Sequence, residues 1–147
     1  MDVSDAREDN TLVQKLIGIK AFPSVAGIVT EGYLGPLYSH YPKSAEIVAN
    51  FKELEKLYQS AFQEFLKFLS TKSKIVICLP AYRKNRDQYE KFPSLDFITS
   101  LGYNVVDLIS AKVAKKLKFL HLTERGTAIY DRKDQIVARE IVIFEKV

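Results

Sequence analysis

The chain has little of what covalent or metal scaffolds require. It holds one cysteine, Cys78, and two histidines in 147 residues. A lone cysteine closes no internal disulfide, and so sparse a set of nitrogen and sulfur ligands leaves no readable zinc cluster. The neighbours Ile75, Val76, Ile77 and Leu79 make Cys78 a small buried hydrophobe rather than a reactive thiol. No apolar run approaches the roughly 20 residues needed to cross a bilayer, so no membrane contact is expected. The acidic, polar stretch Met1 to Asn10 is unlike a secretory signal, and the expected location is cytoplasmic. Glycine is sparse too, and no Gly-x-Gly-x-x-Gly or Gly-x-Ser-x-Gly occurs. Those absences argue against a dinucleotide-binding dehydrogenase and a serine hydrolase.

What remains is the composition of one globular domain, 47% hydrophobic and 27% charged, with a mild net charge of +4. The bias permits an RNA partner without requiring one. Its basic residues cluster twice, at Arg83, Lys84 and Arg86 and at Lys112, Lys115, Lys116 and Lys118. Two solvated faces explain such clusters equally well.

Apolar patterning predicts alternating helices and strands, hence an α/β domain with a mostly parallel sheet. Thr11 to Ile17 is a short helix candidate stopped by Gly18. Val25 to Thr30 is a strand, apolar throughout, which suits burial on both faces. Gly35 to Lys43 is a loop. Ser44 offers a helix cap, and Ile47, Phe51, Leu54, Tyr58, Phe62, Phe65 and Leu69 then recur at helical spacing. Ser70 to Lys74 reads as a turn and Ile75 to Leu79 as a buried strand ending at Pro80. A helix over Phe92 to Leu101 with Gly102 after it, and a strand over Tyr103 to Ile109, come next. Ala111 to Leu120 is a short amphipathic helix or a loop. Thr127 to Arg132 and Ile136 to Phe144 form a hairpin, with Ile141 to Phe144 inside the sheet.

The most informative stretch is Val25-Ala26-Gly27-Ile28-Val29-Thr30-Glu31-Gly32-Tyr33-Leu34-Gly35-Pro36. A buried strand stops at an acid and opens into a glycine-punctuated loop. In open α/β sheets ligands bind beyond the carboxyl ends of the strands. There, an acid followed by an aromatic ring suits an amino group on a planar base. The fragment resembles the catalytic loop of amino-methyltransferases that act on nucleic-acid bases, usually Asp-Pro-Pro-Tyr. Together with Ile75 to Arg83, Leu101-Gly102-Tyr103 and the terminal pair Arg125-Gly126-Thr127-Ala128-Ile129-Tyr130 and Val137-Ala138-Arg139-Glu140-Ile141, it is similar to the carboxyl-terminal half of the tRNA (guanine-N2) methyltransferase family. The likeness runs from about Val3 to Val147.

That resemblance implies a partial Rossmann-like class I methyltransferase fold, with a reversed strand inserted into the sheet and a carboxyl-terminal antiparallel hairpin. It implies S-adenosyl-L-methionine as cofactor and tRNA as substrate. Glu31 takes the place of the catalytic acid and the Gly32 carbonyl that of its partner acceptor; Leu34 falls where the family has its aromatic, and Tyr33, at the second proline's place, is the candidate stacking ring instead. Asp5 and Ala6 match a pair that touches the cofactor's adenine. The glycine-rich cofactor turn is missing before Glu31. Two alternatives follow: a split or truncated methyltransferase completed by a separate amino-terminal half or by self-association, or a non-catalytic RNA- or protein-binding domain that kept the fold.

Overall fold

The computed structural model describes residues 25–120 and 122–147. Asp5, Ala6 and the helix expected over Thr11 to Ile17 lie outside the described residues. Strand β1 covers Val25–Thr30 and helix α1 Ser44–Phe65. Strand β2 spans Leu69–Asn85, β3 Gln88–Glu90, and helix α2 Asp96–Thr99. Strand β4 is Tyr103–Val106, helix α3 Ala111–Ala114, β5 Ala128–Tyr130 and β6 Val137–Lys146.

The apolar stripe read from the sequence builds α1. Ile47, Phe51, Leu54, Tyr58 and Phe62 are each at most 6% exposed, because three- and four-residue steps stack on one helix face. They pack on Ile75, Ile77 and Leu79 of β2 and on Val142 and Phe144 of β6. Fully burying one such side chain contributes about 1.5–3 kcal/mol. The Phe62 ring meets Phe144 and Tyr103 edge-on, each at 5.1 Å. Ser44 is the first helical residue rather than the cap. Lys43 caps instead, its N–H donating to the Glu46 carboxylate at 2.7 Å. The helix stops at Phe65, short of Leu69. Single turns at Lys67 and Phe68 tighten its end, and Leu69 already pairs with Val25.

The expected turn at Ser70 to Lys74 is instead part of the 17-residue β2. Its turn-forming composition survives as an irregularity. Two steps along β1, Val25 to Gly27, match five along β2, Leu69 to Lys74, and Lys72 takes φ 69°. Pro80 does not end the strand either. β1 stops pairing at Ile77 and β3 starts at Tyr82, so Pro80 falls in a gap on that flank and is paired only with β6, at Arg139. A proline is tolerated where one edge needs no donor. The chain then turns at Arg86 and Asp87 into a hairpin with β3, an element the sequence pattern did not announce.

The sheet runs β1-β2-β6-β4, with β3 on β2 and β5 on β6. The expectation of a mostly parallel sheet is corrected: among the described strands only β1 and β2 pair in parallel. The cause is β6. It lies antiparallel between β2 and β4, so β1, β2 and β4 point one way and β6 the other. The insertion of a reversed strand, the terminal hairpin and the interior place of Ile141 to Phe144 are as expected. β1 lies at one edge of the described sheet, and Val29 is 83% exposed. Its apolar composition therefore does not reflect burial on both faces. The helix expected over Phe92 to Leu101 shrinks to the single turn of α2. Pro93 has no preceding turn to join, and Phe92 instead stacks 4.6 Å from Phe51. The third expected strand, β4, ends at Val106, before Ile109.

Candidate functional site

β1 delivers Glu31 to its carboxyl end, and α1 then seats the loop that follows. Thr30 Oγ1 accepts from the Gly32 N–H at 3.3 Å. The Tyr58 hydroxyl donates to the Tyr33 carbonyl. Asn50 Nδ2 donates to the Leu34 carbonyl at 3.2 Å and to the Tyr82 hydroxyl at 2.7 Å. Asn50 and Tyr58 are buried, and burial pushes the Tyr58 and Tyr82 hydroxyls up from their ordinary values. Both phenols therefore stay protonated, Tyr58 as a donor and Tyr82 as the acceptor of the Asn50 amide.

Two glycines let the loop come this close. Gly32 has φ 75°, and a Cβ there would meet the Tyr58 hydroxyl at 3.1 Å. Gly35 has φ 109°, and a Cβ there would sit 2.4 Å from the Asn50 side chain. Glycine in place of proline thus does not loosen the loop, since buried donors of α1 fix it. Among the described residues no donor reaches the Gly32 carbonyl, whereas the next two carbonyls are taken.

The Glu31 carboxylate is engaged. Arg139 of β6 reaches past β2 and donates from Nε to Glu31 Oε1, while its Nη1 donates to Gln135 Oε1 at 2.6 Å. The Glu31 side chain is 54% exposed and that of Arg139 22%. Sequence reasoning missed this partner, treating Arg139 only as one letter of the terminal signature. Tyr33, two residues along the loop, is exposed. Cys78, expected to be buried, is only half-buried and lies near the pair: burial raises its thiol above the ordinary value, the Glu31 charge adds to the rise and Arg139 opposes it.

The rest of the terminal signature is structural. Glu140, 0% exposed, accepts from Arg125 Nε and Nη2 at 2.7 and 2.5 Å, and from Thr127 Oγ1 at 2.6 Å. Arg125 Nη1 also holds the Phe92 carbonyl at 2.7 Å. The network ties β6 to the segment before α2.

The basic candidates divide. Arg83 is not a free cation: its Nε lies 2.7 Å from Asp131 Oδ2, which also accepts from the Tyr89 hydroxyl at 2.6 Å. Lys84 and Arg86 are exposed at the β2–β3 turn. Lys112 is exposed on α3, capped by the Ser110 side chain, and Lys115, Lys116 and Lys118 are exposed just after it. A cleft of about 450 Å³ lies between the β2–β3 hairpin and residues Leu122 to Glu124, lined by Lys84, Tyr89 and Lys91 among others. It does not include Glu31 or Tyr33. Among the described residues no cluster of His, Cys, Asp and Glu could hold a metal, and no helix is long and apolar enough to cross a membrane.

No protein-family model matches the chain, and no curated protein matches it in sequence. Two solved structures of a Thermus thermophilus protein provisionally assigned as a DNA modification methylase are similar to it. One is 14% identical over 90% of this chain with a TM-score of 0.44. The other, a selenomethionine derivative, is 11% identical over 90% with a TM-score of 0.41. The chain spans about half the length of each, 50% and 49%.

Proposed function

We propose that the chain is the base-binding part of an S-adenosylmethionine-dependent methyltransferase that acts on the exocyclic amine of an RNA base, with guanine in tRNA as the substrate. The observation that carries this reading is the reversed β6 lying between β2 and β4, which share the direction of β1. Glu31 and the Gly32 carbonyl, which accepts from no described donor, follow directly on the carboxyl end of β1.

The chemistry follows from those two acceptors. An aryl amine is a poor nucleophile because its lone pair is delocalised into the ring. The Glu31 carboxylate and the Gly32 carbonyl, accepting its two N–H groups, turn the lone pair out of the ring plane, and positioning supplies rate. The carboxylate also offsets the positive charge that develops on nitrogen. Tyr33, exposed two residues along the loop, offers a ring for stacking on a base extruded from the RNA. The exposed Lys84, Arg86, Lys112, Lys115, Lys116 and Lys118 are the phosphate contacts of this reading.

S-adenosylmethionine, when bound, supplies an electrophilic methyl group. The described residues do not form its cradle. Their glycines sit in β1, at its tip loop and in two later turns, Gly102 and Gly126, and Asp5 and Ala6 lie outside the described residues. The cofactor then has to be held by residues outside them, by a separate amino-terminal half or by a second copy of the chain. The Arg139 guanidinium on Glu31 favours a second reading, an RNA- or protein-binding domain without chemistry.

The test is methyl transfer to tRNA from tritiated S-adenosylmethionine by the tagged full chain, purified with whatever it binds. The expected product is methylated guanine amine, reduced on the order of 100-fold by Glu31→Ala. Undiminished transfer by that variant removes the catalytic assignment. Binding of tRNA without any transfer favours the second reading.

A further inference from the structure

Glu31 is presented as an acceptor, yet its Oε1 already has a donor. Arg139 is the only described residue that reaches this carboxylate, and it does so from β6, two strands away from β1. The pair lies partly open to solvent, with the acid more exposed than the arginine. Gln135 keeps a second hold on the guanidinium through Nη1, so Arg139 retains a polar partner if Glu31 lets go. A guanidinium N–H on a carboxylate oxygen has the geometry that an amine N–H of a base would need in the same place.

We propose that Arg139 is a positioning residue that occupies Oε1 of Glu31 in place of the base, so that an incoming amine competes with it for that oxygen. The inference rests on the reading of Glu31 as the amine acceptor. Without ligand, Arg139 holds Oε1 of the carboxylate through its Nε–H. With ligand, the amine takes over the carboxylate and the arginine stays on Gln135. The competition weakens ligand binding by the strength of one partly exposed ion pair, a factor of about five at most.

The competition has a salt signature. Screening weakens the Glu31–Arg139 pair but hardly touches a hydrogen bond from a neutral amine. Raising ionic strength should therefore strengthen binding of a neutral base to the wild type and leave a variant without Arg139 unchanged. A purely structural role for Arg139 gives no such difference.

The probe is 2-aminopurine riboside, neutral and fluorescent, titrated into the full chain at low and high salt. Arg139→Gln is expected to bind it up to about fivefold tighter than wild type at low salt, with the gap closing as salt rises. Arg139→Lys, which restores a cation, should return toward wild type. Thermal melts of each variant confirm that the fold is intact. If Glu31→Gln weakens binding but Arg139→Gln matches wild type at every salt concentration, the role of Arg139 is overturned while the reading of Glu31 stands. If Glu31→Gln leaves binding unchanged, or no protein binds the probe, the reading of Glu31 fails and the proposal falls with it.

Discussion

Replacing Arg125 by alanine strands a carboxylate. Glu140 is fully buried and draws two of its three described hydrogen bonds from that guanidinium. Removing one partner of a buried pair costs about 3–5 kcal/mol, because the other charge stays behind without compensation. Two features place this case at the lower end. Thr127 still donates to Oε1, and the Arg125 side chain is 19% exposed, so water can follow into the space. The loss of the bond to the Phe92 carbonyl adds about 1 kcal/mol. The expected total is about 3–4 kcal/mol, which for a domain of this size lowers the melting temperature by roughly 6–16 °C. Urea unfolding followed by circular dichroism should show the midpoint falling with an unchanged slope. The double replacement Arg125→Leu with Glu140→Leu removes both charges and should recover most of the loss. A single variant that loses less than about 1 kcal/mol, or a double variant less stable than the single, would refute the reasoning.

Gly35→Ala meets both a positive φ and a Cβ overlap with Asn50; it should cost about 1–2 kcal/mol from the backbone alone, read as a lower melting temperature, and Asn50→Ala in the same protein should relieve the overlap. The Glu145 carboxyl lies below its ordinary value because Lys74, then Lys72, hydrogen-bond to it. Its stabilising contribution is therefore full above the ordinary 4.5 and is lost as pH falls through the lowered value; Glu145→Gln should flatten that limb of the stability–pH curve. Because burial raises the Cys78 thiol, alkylation by iodoacetamide at pH 8 should be several-fold slower than for a free peptide thiol, and a rate equal to the peptide's would contradict its environment.

How much of this was legible depended on the range of the cause. The α1 stripe and β1 were readable because apolar spacing over a few residues determines them. The turn residues Ser70 to Lys74 and the breaker Pro80 were read as ends of elements. Both sit within β2, and neighbouring strands decide what such residues do there: a register shift absorbs one and an unpaired flank the other. The run of apolar residues in β1 matched its strand but not its exposure, since composition does not say which neighbours cover a face. At the candidate site, the sequence located the acid and the glycines of the loop. It did not reveal that Asn50 and Tyr58 fix that loop, nor that Arg139 is bonded to Glu31 from 108 residues away. Arg83 looked like a free cation for the same reason, because Asp131 lies 48 residues on.

The place of β6 also sets the order in which the protein can assemble. β4 and β5 pair only with β6 among the described strands, and β6 supplies the partner of β2 from Lys74 to Tyr82. It is also the last of these elements to be synthesised. Until it arrives, β4 and β5 have no ladder to join, and one long edge of β2 stands open on the ribosome. Local contacts can form α1 early, but the sheet closes through pairings separated by tens of residues, which makes folding slow. A nascent chain halted before Val137 would present β2 as a long unpaired edge, a template for pairing with other chains.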